Sequence, residues 1–261
     1  MIQVIERFHK IIEYIARDPE TPRTLTELAA LIGVSAPACS NILRTMVHLG
    51  YLEKAGVRKG YVLGAAPYYL SRKGPYKKYL GDIARPSMEQ LVQDIHELVV
   101  LVTESGGRRI ELLKLESESM IQVRNFDNGT LPDLFRVATG ILFLAYKPEE
   151  EFRAFWNSRD DAGGGLFHSG DYAAVRSKCA RIVADGFFLS DPHRHNQQLD
   201  EEDVNACYTM SFPVFEDGKV VAAVGSRVPA FRFKGERREK ILQACRNTAE
   251  TISRAIAGQS R

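Results

Sequence analysis

Several things are missing from this chain, and each absence narrows its class. No apolar run approaches the roughly 20 residues that span a bilayer. Its first stretch, MIQVIERFHKIIEYIAR, is broken by charges at Glu6, Arg7, Lys10 and Glu13, and no small-residue cleavage site follows. It does not read as a signal peptide, so the expected compartment is the cytoplasm. Cysteine is sparse: Cys39, Cys179, Cys207 and Cys245 stand far apart without paired spacing, which points to reduced thiols. The patterns G-x-S-x-G, G-x-x-x-x-G-K-[ST] and H-E-x-x-H are absent, and with them the usual signatures of a hydrolase elbow, a phosphate loop and a zinc protease. Gly163-Gly164-Gly165 follows Arg159-Asp160-Asp161 with no strand before it, and reads as a turn. His193 and His195, with Asp191, are too few ligands for a metal, which needs three or four that converge. The expectation is no catalytic residues, no metal and no cofactor. Internal repeats and low-complexity tracts are absent too.

What is present suits a globular protein of two domains: 261 residues, 44% hydrophobic and 26% charged. The net charge of +2 is uneven. The first 80 residues carry twelve Lys/Arg and six Asp/Glu, so the remainder is net negative. A basic end on an acidic body suits a polyanionic partner at that end.

Ile2, Ile5, Phe8, Ile12 and Ile15 recur at helical spacing over residues 2–16. Asp18-Pro19 and Pro22 then break the chain. Thr24-Leu25-Thr26-Glu27 is a capping-box pattern opening a helix to Ile32, and Gly33 stands where a left-handed cap would end it. Ser35 is placed to cap a third helix, with Pro37 in its first turn, running to Leu49. Ala38, Ile42, Met46 and Leu49 would form its buried stripe. Tyr51–Lys54 and Tyr61–Leu63, around a basic turn, read as a hairpin. Helix, helix, tight turn, helix and two-stranded wing together describe a winged helix-turn-helix over residues 1–64.

In such a fold the N-terminal part of the third helix enters the major groove. Asn41 suits adenine N6/N7, Ser40 several base edges, and Ala36 and Pro37 a thymine methyl. Arg44 suits a guanine or a phosphate, and Thr45 lies on the same face. Arg58 and Lys59 at the wing tip suit phosphate or minor-groove contacts. A plain helical bundle with a polar face accounts for any one of these residues, but poorly for the joint order of cap, glycine turn, second cap and basic wing.

Residues 65–82 read as a partly helical linker rich in Lys, Arg and Tyr. Its tyrosines, Tyr68, Tyr69, Tyr76 and Tyr79, suit packing against a dimer mate. From residue 83 to 261 the texture is α+β: a helix from Ser87 after Pro86, strands at Leu98–Thr103, Ile110–Leu115 and Met120–Asn125, and an apolar helix Leu134–Tyr146. Helices at Glu149–Ser158 and Tyr172–Asp185 follow, then strands at Phe187–Ser190, Tyr208–Phe215 and Val220–Val228. A hairpin turn at Glu216–Lys219 and a last helix, Arg237–Ile256, complete the pattern. Strands segregated from helices imply a mainly antiparallel sheet.

The stretch LTELAALIGVSAPACSNILRTMVHLGYLEKAGVRKGYVLG resembles the winged helix-turn-helix of the IclR family of bacterial regulators. IARPSMEQLVQDIHE, GTLPDLFRVATGILFLAY (Gly129 and Gly140 at the family's separation), ADGFFLSD and MSFPVFEDGKVVAAVGSRVP resemble successive parts of that family's effector domain, in its order. The resemblance implies a GAF-like effector domain, a homodimer or homotetramer, and control of transcription by a metabolite at a double-stranded DNA operator. Mapped onto this chain, the family pocket would be lined by Ile121, Arg124, Ala138 and Thr139, by Ser190 and Asp191, and by Cys207, Thr209, Gly225 and Arg227. The chain departs from the family at Phe135, where His is frequent, at Ile141, where Lys or Arg is frequent, and in the first turn of its third helix, which has fewer basic and hydroxyl residues.

Two arginines beside a pocket suit a carboxylate ligand, which a guanidinium binds in a fork. The alternative is that Arg124 and Arg227 lie on the surface with solvated heads or salt bridges to nearby acids. Cys207 suits a small buried residue better than a redox sensor. Two rivals from other classes stand beside the ligand-responsive regulator: a constitutive DNA-binding scaffold, and an enzyme with an appended DNA-binding domain.

Overall fold

The computed structural model describes residues 2–56, 59–71, 74, 76–117, 130–131, 134–158, 171–190 and 206–259. The chain divides into two compact units, Met1–Pro75 and Tyr76–Arg261.

The first unit is built from α1 (Gln3–Ala16), α2 (Leu25–Ile32), α3 (Ala36–His48), β1 (Leu52–Lys54), β2 (Tyr61–Leu63) and α4 (Ala65–Ser71). The α2 signals act as expected. Thr24 and Glu27 form a reciprocal capping box, and Gly33 closes the helix at φ 65°. Ser35 does flank α3, but its side chain makes no capping bond.

Two faces differ from the expected ones. In α1 the buried residues are Ile11 and Ile15, with Phe8 and Ile12 packed partly beside them, while Ile2, Val4 and Ile5 are 65%, 52% and 61% exposed. In α3 the buried stripe is Cys39, Leu43 and Met46; Ala38 and Leu49 are exposed. Both stripes have helical spacing, and periodicity does not decide which one a neighbour covers. Leu28, Ala29 and Ile32 of α2 share a core with Cys39, Leu43 and Met46, and this packing sets the rotation of α3.

The second unit is a six-stranded antiparallel sheet with helices on both faces. Its elements are α5 (Lys78–Ile95), β3 (Leu98–Ser105), β4 (Arg108–Leu115), β5 (Thr130–Leu131), α6 (Ala138–Ala145), α7 (Glu149–Ser158), α8 (Tyr172–Asp185), β6 (Phe188–Ser190), β7 (Cys207–Glu216), β8 (Lys219–Pro229) and α9 (Gly235–Gln259). The strand order is β5-β4-β3-β8-β7-β6. On one face Val99, Leu101, Phe212 and Val224 pack with α5 and α9; on the other Val100, Val102 and Ala223 pack with α6 and α8. The Asp217-Gly218 turn joins β7 to β8 with both residues at positive φ, 48° and 75°, as the sequence predicts for this hairpin.

Two boundaries differ. The helix expected to begin after Pro86 begins at Lys78 and runs through the proline. Pro86 removes one helical donor, a cost of about 3 kcal/mol. Leu80, Ala84, Met88, Leu91 and Ile95 form one buried stripe along α5, and burying each large apolar side chain contributes about 1.5–3 kcal/mol, so packing prevails. The helix expected over Leu134–Tyr146 is a 3-10 turn at Leu134–Arg136, an extended Val137 and then α6. The strand expected at Met120–Asn125 lies outside the described residues.

Where α5 meets α9, Glu97 is only 3% exposed and pairs with Arg232 at 3.2 Å and Arg237 at 3.3 Å. Burial pushes its carboxyl above the usual range, and the two guanidinium groups oppose that. All four cysteines are free and buried. Burial pushes the thiols of Cys179 and Cys245 up to about 11 and about 12. No single described helix is long and apolar enough to cross a membrane.

Candidate DNA interface and effector pocket

With Cys39, Leu43 and Met46 buried, helical periodicity carries Pro37, Asn41, Arg44 and His48 to the opposite side of α3. All four are exposed, as are Ala36 and Thr45; Ser40 is half-buried. Arg44 donates to Asn41 Oδ1, and the Thr45 hydroxyl donates to the Asn41 carbonyl at 3.1 Å. The six α3 residues singled out in the sequence thus lie outside the buried stripe of Cys39, Leu43 and Met46. His48 stands one turn beyond Arg44 on the same side and is also exposed. Lys59 is exposed on the wing, while Arg58 lies outside the described residues.

The wing is attached to the helices at Arg23. Its N–H donates to the Tyr61 carbonyl at 2.9 Å, and its carbonyl accepts from the Tyr61 N–H at 2.8 Å. Its guanidinium bonds Asp18 at 3.2 Å and Glu27 at 3.3 Å and lies 4.9 Å from the centre of the Tyr14 ring. The Tyr14 hydroxyl donates to Glu27. That bond foremost, with the Thr24 N–H and the Arg23 charge, holds the Glu27 carboxyl below its usual range against a smaller opposing effect of burial. A folded-state value below the unfolded one, about 4.3, gives stability that is present above that value and lost as pH falls through the folded one. Tyr14→Phe is therefore expected to move acid unfolding of α2 to higher pH, followed by hydrogen exchange of the α2 amides. An unchanged acid midpoint would contradict the role given to Tyr14.

In the second unit, strand register brings the predicted lining residues into rows on the α6 side of the sheet. Ser190 pairs with Thr209, Thr209 with Arg227, and Arg227 with Leu98. In the next row Ser211 pairs with Gly225, and Gly225 with Val100. Thr139, in the first turn of α6, lies over Gly225: a Cβ there would meet Thr139 Cγ2 at 2.9 Å and Val100 Cγ2 at 3.0 Å. Ala138, Thr139, Ser190 and Cys207 are buried, and Thr209 and Arg227 are half-buried. Burial pushes the Cys207 thiol upward, and the nearby Arg227 guanidinium opposes that. The Nε of Arg227 is buried without a hydrogen-bond partner, and so is the fully buried Oγ of Ser211. Val137 gives α6 no side-chain cap.

Arg227 is thus half-buried, with its Nε withdrawn from solvent, whereas Ile121, Arg124 and Asp191 lie outside the described residues. So do His193, His195 and Gly163–Gly165. Among the described residues no group of three His, Cys, Asp or Glu is placed to hold a metal ion.

The sequence reading missed Arg109. It is 3% exposed on β4, its Nε donates to Thr139 Oγ1 at 3.0 Å, and its guanidinium lies 3.6 Å from Glu111. Alternation in Arg109-Ile110-Glu111 puts both charges on one face, but nothing local marks that face as buried.

A winged helix-turn-helix followed by an antiparallel sheet with a polar inner row defines a class: DNA-binding transcription regulators with an effector-binding domain. Residues 4–56 match the IclR helix-turn-helix domain, and residues 77–254 match the bacterial transcriptional regulator IclR C-terminal domain. The chain belongs to the IclR family, whose members are regulators rather than enzymes. It is 24% identical over 237 residues, 89% of each chain, to the HTH-type transcriptional regulator KipR of Bacillus subtilis. Its fold is shared by an IclR family transcriptional regulator from Brucella abortus (TM-score 0.74, 20% identity, 98% of this chain and 93% of that one). It is also shared by an IclR homolog from Microbacterium hydrocarbonoxydans solved with 4-hydroxybenzoate (TM-score 0.70, 20% identity, 98% and 99%).

Proposed function

We propose that this regulator is a cytoplasmic homodimer or homotetramer that binds a specific operator through α3 and the wing, and that a small carboxylate bound on the α6 side of the sheet changes its DNA affinity. The observation that carries the reading is the row Ser190–Thr209–Arg227 beside Thr139: polar groups on the α6 side of the sheet, one with an unpartnered buried Nε. Unpaired buried donors are costly, at about 1–3 kcal/mol each, and a ligand carboxylate would accept from them. The 4-hydroxybenzoate bound by the Microbacterium relative is a carboxylate, which supports the class without identifying the compound. Ile121, Arg124, Ala138, Asp191, Cys207 and Gly225 complete the proposed lining. On the DNA side Ala36, Pro37, Ser40, Asn41, Arg44 and Thr45 would meet the major groove, and Arg58 and Lys59 the backbone.

The test is a thermal-shift panel of small carboxylates including 4-hydroxybenzoate, followed by titration of the best one. Arg227→Lys keeps the charge but loses the fork, and is expected to weaken binding roughly tenfold or more; Thr209→Val should also weaken it. The ligand must shift operator affinity by the factor by which operator shifts ligand affinity. A ligand that binds without that coupling, or no ligand at all, would leave the constitutive scaffold.

Exposed Ile2 just before α1, Val4 and Ile5 on α1, and Tyr68, Tyr69 and Leu70 on α4 are the proposed self-association surface. Two wings on a twofold axis read a palindrome, which one cannot. Light scattering at micromolar concentration is expected to give at least a dimer mass, and a monomer with and without DNA would refute it.

A further inference from the structure

We propose that Arg23 and Gly60 are positioning residues for DNA binding: together they hold the wing at a set angle to the recognition helix without touching the duplex themselves.

The wing needs such a hold. Its strands β1 and β2 are three residues each, and a two-stranded ribbon is marginal by itself. Arg23, one residue before the α2 cap, supplies a third edge through the paired hydrogen bonds with Tyr61. Gly60 permits that approach. A Cβ there would lie 2.5 Å from the Arg23 carbonyl oxygen and 2.8 Å from its carbon, both backbone atoms, and Gly60 has φ 106°. Side chains at this position are excluded by contact and by conformation alike.

The side chain of Arg23 extends the hold to the helices. Asp18 and Glu27 take its guanidinium, and the Tyr14 ring lies beneath it, so α1, the loop after it, α2 and β2 meet at one residue. With 19% of that side chain exposed and its charge directed at two carboxylates, Arg23 is poorly available to a phosphate. What it places is the wing carrying exposed Lys54 and Lys59. The inference rests on the reading of Lys59 as a phosphate contact, and its test separates the two.

The measurement is the salt dependence of duplex binding by the full-length protein, using a duplex selected by the parent. Each phosphate contact contributes a slope of about 0.9. Lys59→Ala is expected to lower the slope by about one. Arg23→Met and Gly60→Ala should each lower it at least as much, Gly60→Ala without changing any charge, while reselection with either variant returns the same base sequence. In Arg23→Met/Lys59→Ala the slope should fall no further than in Arg23→Met, because a displaced wing no longer presents Lys59. Thermal melts identify variants that fail to fold; should Gly60→Ala be one, Arg23→Met and its double variant carry the test. A parental slope in Arg23→Met overturns the proposal. Additive losses overturn it as well, since they make Arg23 a phosphate contact in its own right. A parental slope in Lys59→Ala removes the wing reading itself, and the positioning role with it.

Discussion

Operator binding by an Asn41→Ala/Arg44→Ala variant is expected to fall by about tenfold or more at fixed salt. Each residue lies on the outward side of α3, and a side chain that reads a base there contributes about 1–3 kcal/mol, where 1.4 kcal/mol is tenfold. The two are hydrogen-bonded to each other, so the double variant is expected to lose less than the two single losses combined. Their exposure makes an effect through folding small: surface substitutions of this kind stay within about 0.5 kcal/mol of stability. A gel-shift or anisotropy titration of parent, single and double variants on one selected duplex decides the matter. Equal affinity for parent and double variant would remove α3 as the recognition helix.

The second large effect is on stability, and its sign is the informative part. Gly140→Ala, in the first turn of α6, would ordinarily strengthen a helix by up to about 1 kcal/mol. Here it is expected to destabilise the second unit by about 3 kcal/mol or more, because the new Cβ would stand 2.3 Å from the Leu134 carbonyl oxygen and 2.7 Å from the Leu134 Cα. Backbone cannot rotate aside as a side chain does. Leu134 and Phe135 are each 2% exposed, and the neighbouring Ile141 is fully buried, so neither the 3-10 turn nor α6 has room to retreat. Because α6 also brings Thr139 over Gly225, partial accommodation would displace Thr139 from that contact. Chemical denaturation of the full chain measures the effect, and a variant as stable as the parent would mean that the 3-10 turn and α6 can separate without cost.

The features legible in the sequence are those whose cause lies within a few residues. The capping box of Thr24 and Glu27, the left-handed Gly33 and the Asp217-Gly218 turn each depend on atoms that are neighbours along the chain, and all stand where the residues place them. The ranges of α7 and α8 follow from local periodicity in the same way. The sequence also carries enough of the family's order to imply a winged helix-turn-helix ahead of an effector domain. What it leaves open is which face of an element becomes buried and which distant residue comes to lie opposite. Cys39 and Leu43 face inward beside Met46, in place of the expected Ala38, Ile42 and Leu49, because α2 packs there, and two apolar stripes one residue apart look alike before that packing exists. Pro86 stands inside a helix because the buried stripe of α5 outweighs one lost hydrogen bond. Arg109 meets Thr139 thirty residues away, Arg23 meets Tyr61 across the wing, and β3 lies beside β8. A local code determines caps, turns and periods because their hydrogen bonds close within one turn of chain. Register and burial belong to the tertiary structure, because they are set by the fit of surfaces that become neighbours only once the chain has folded.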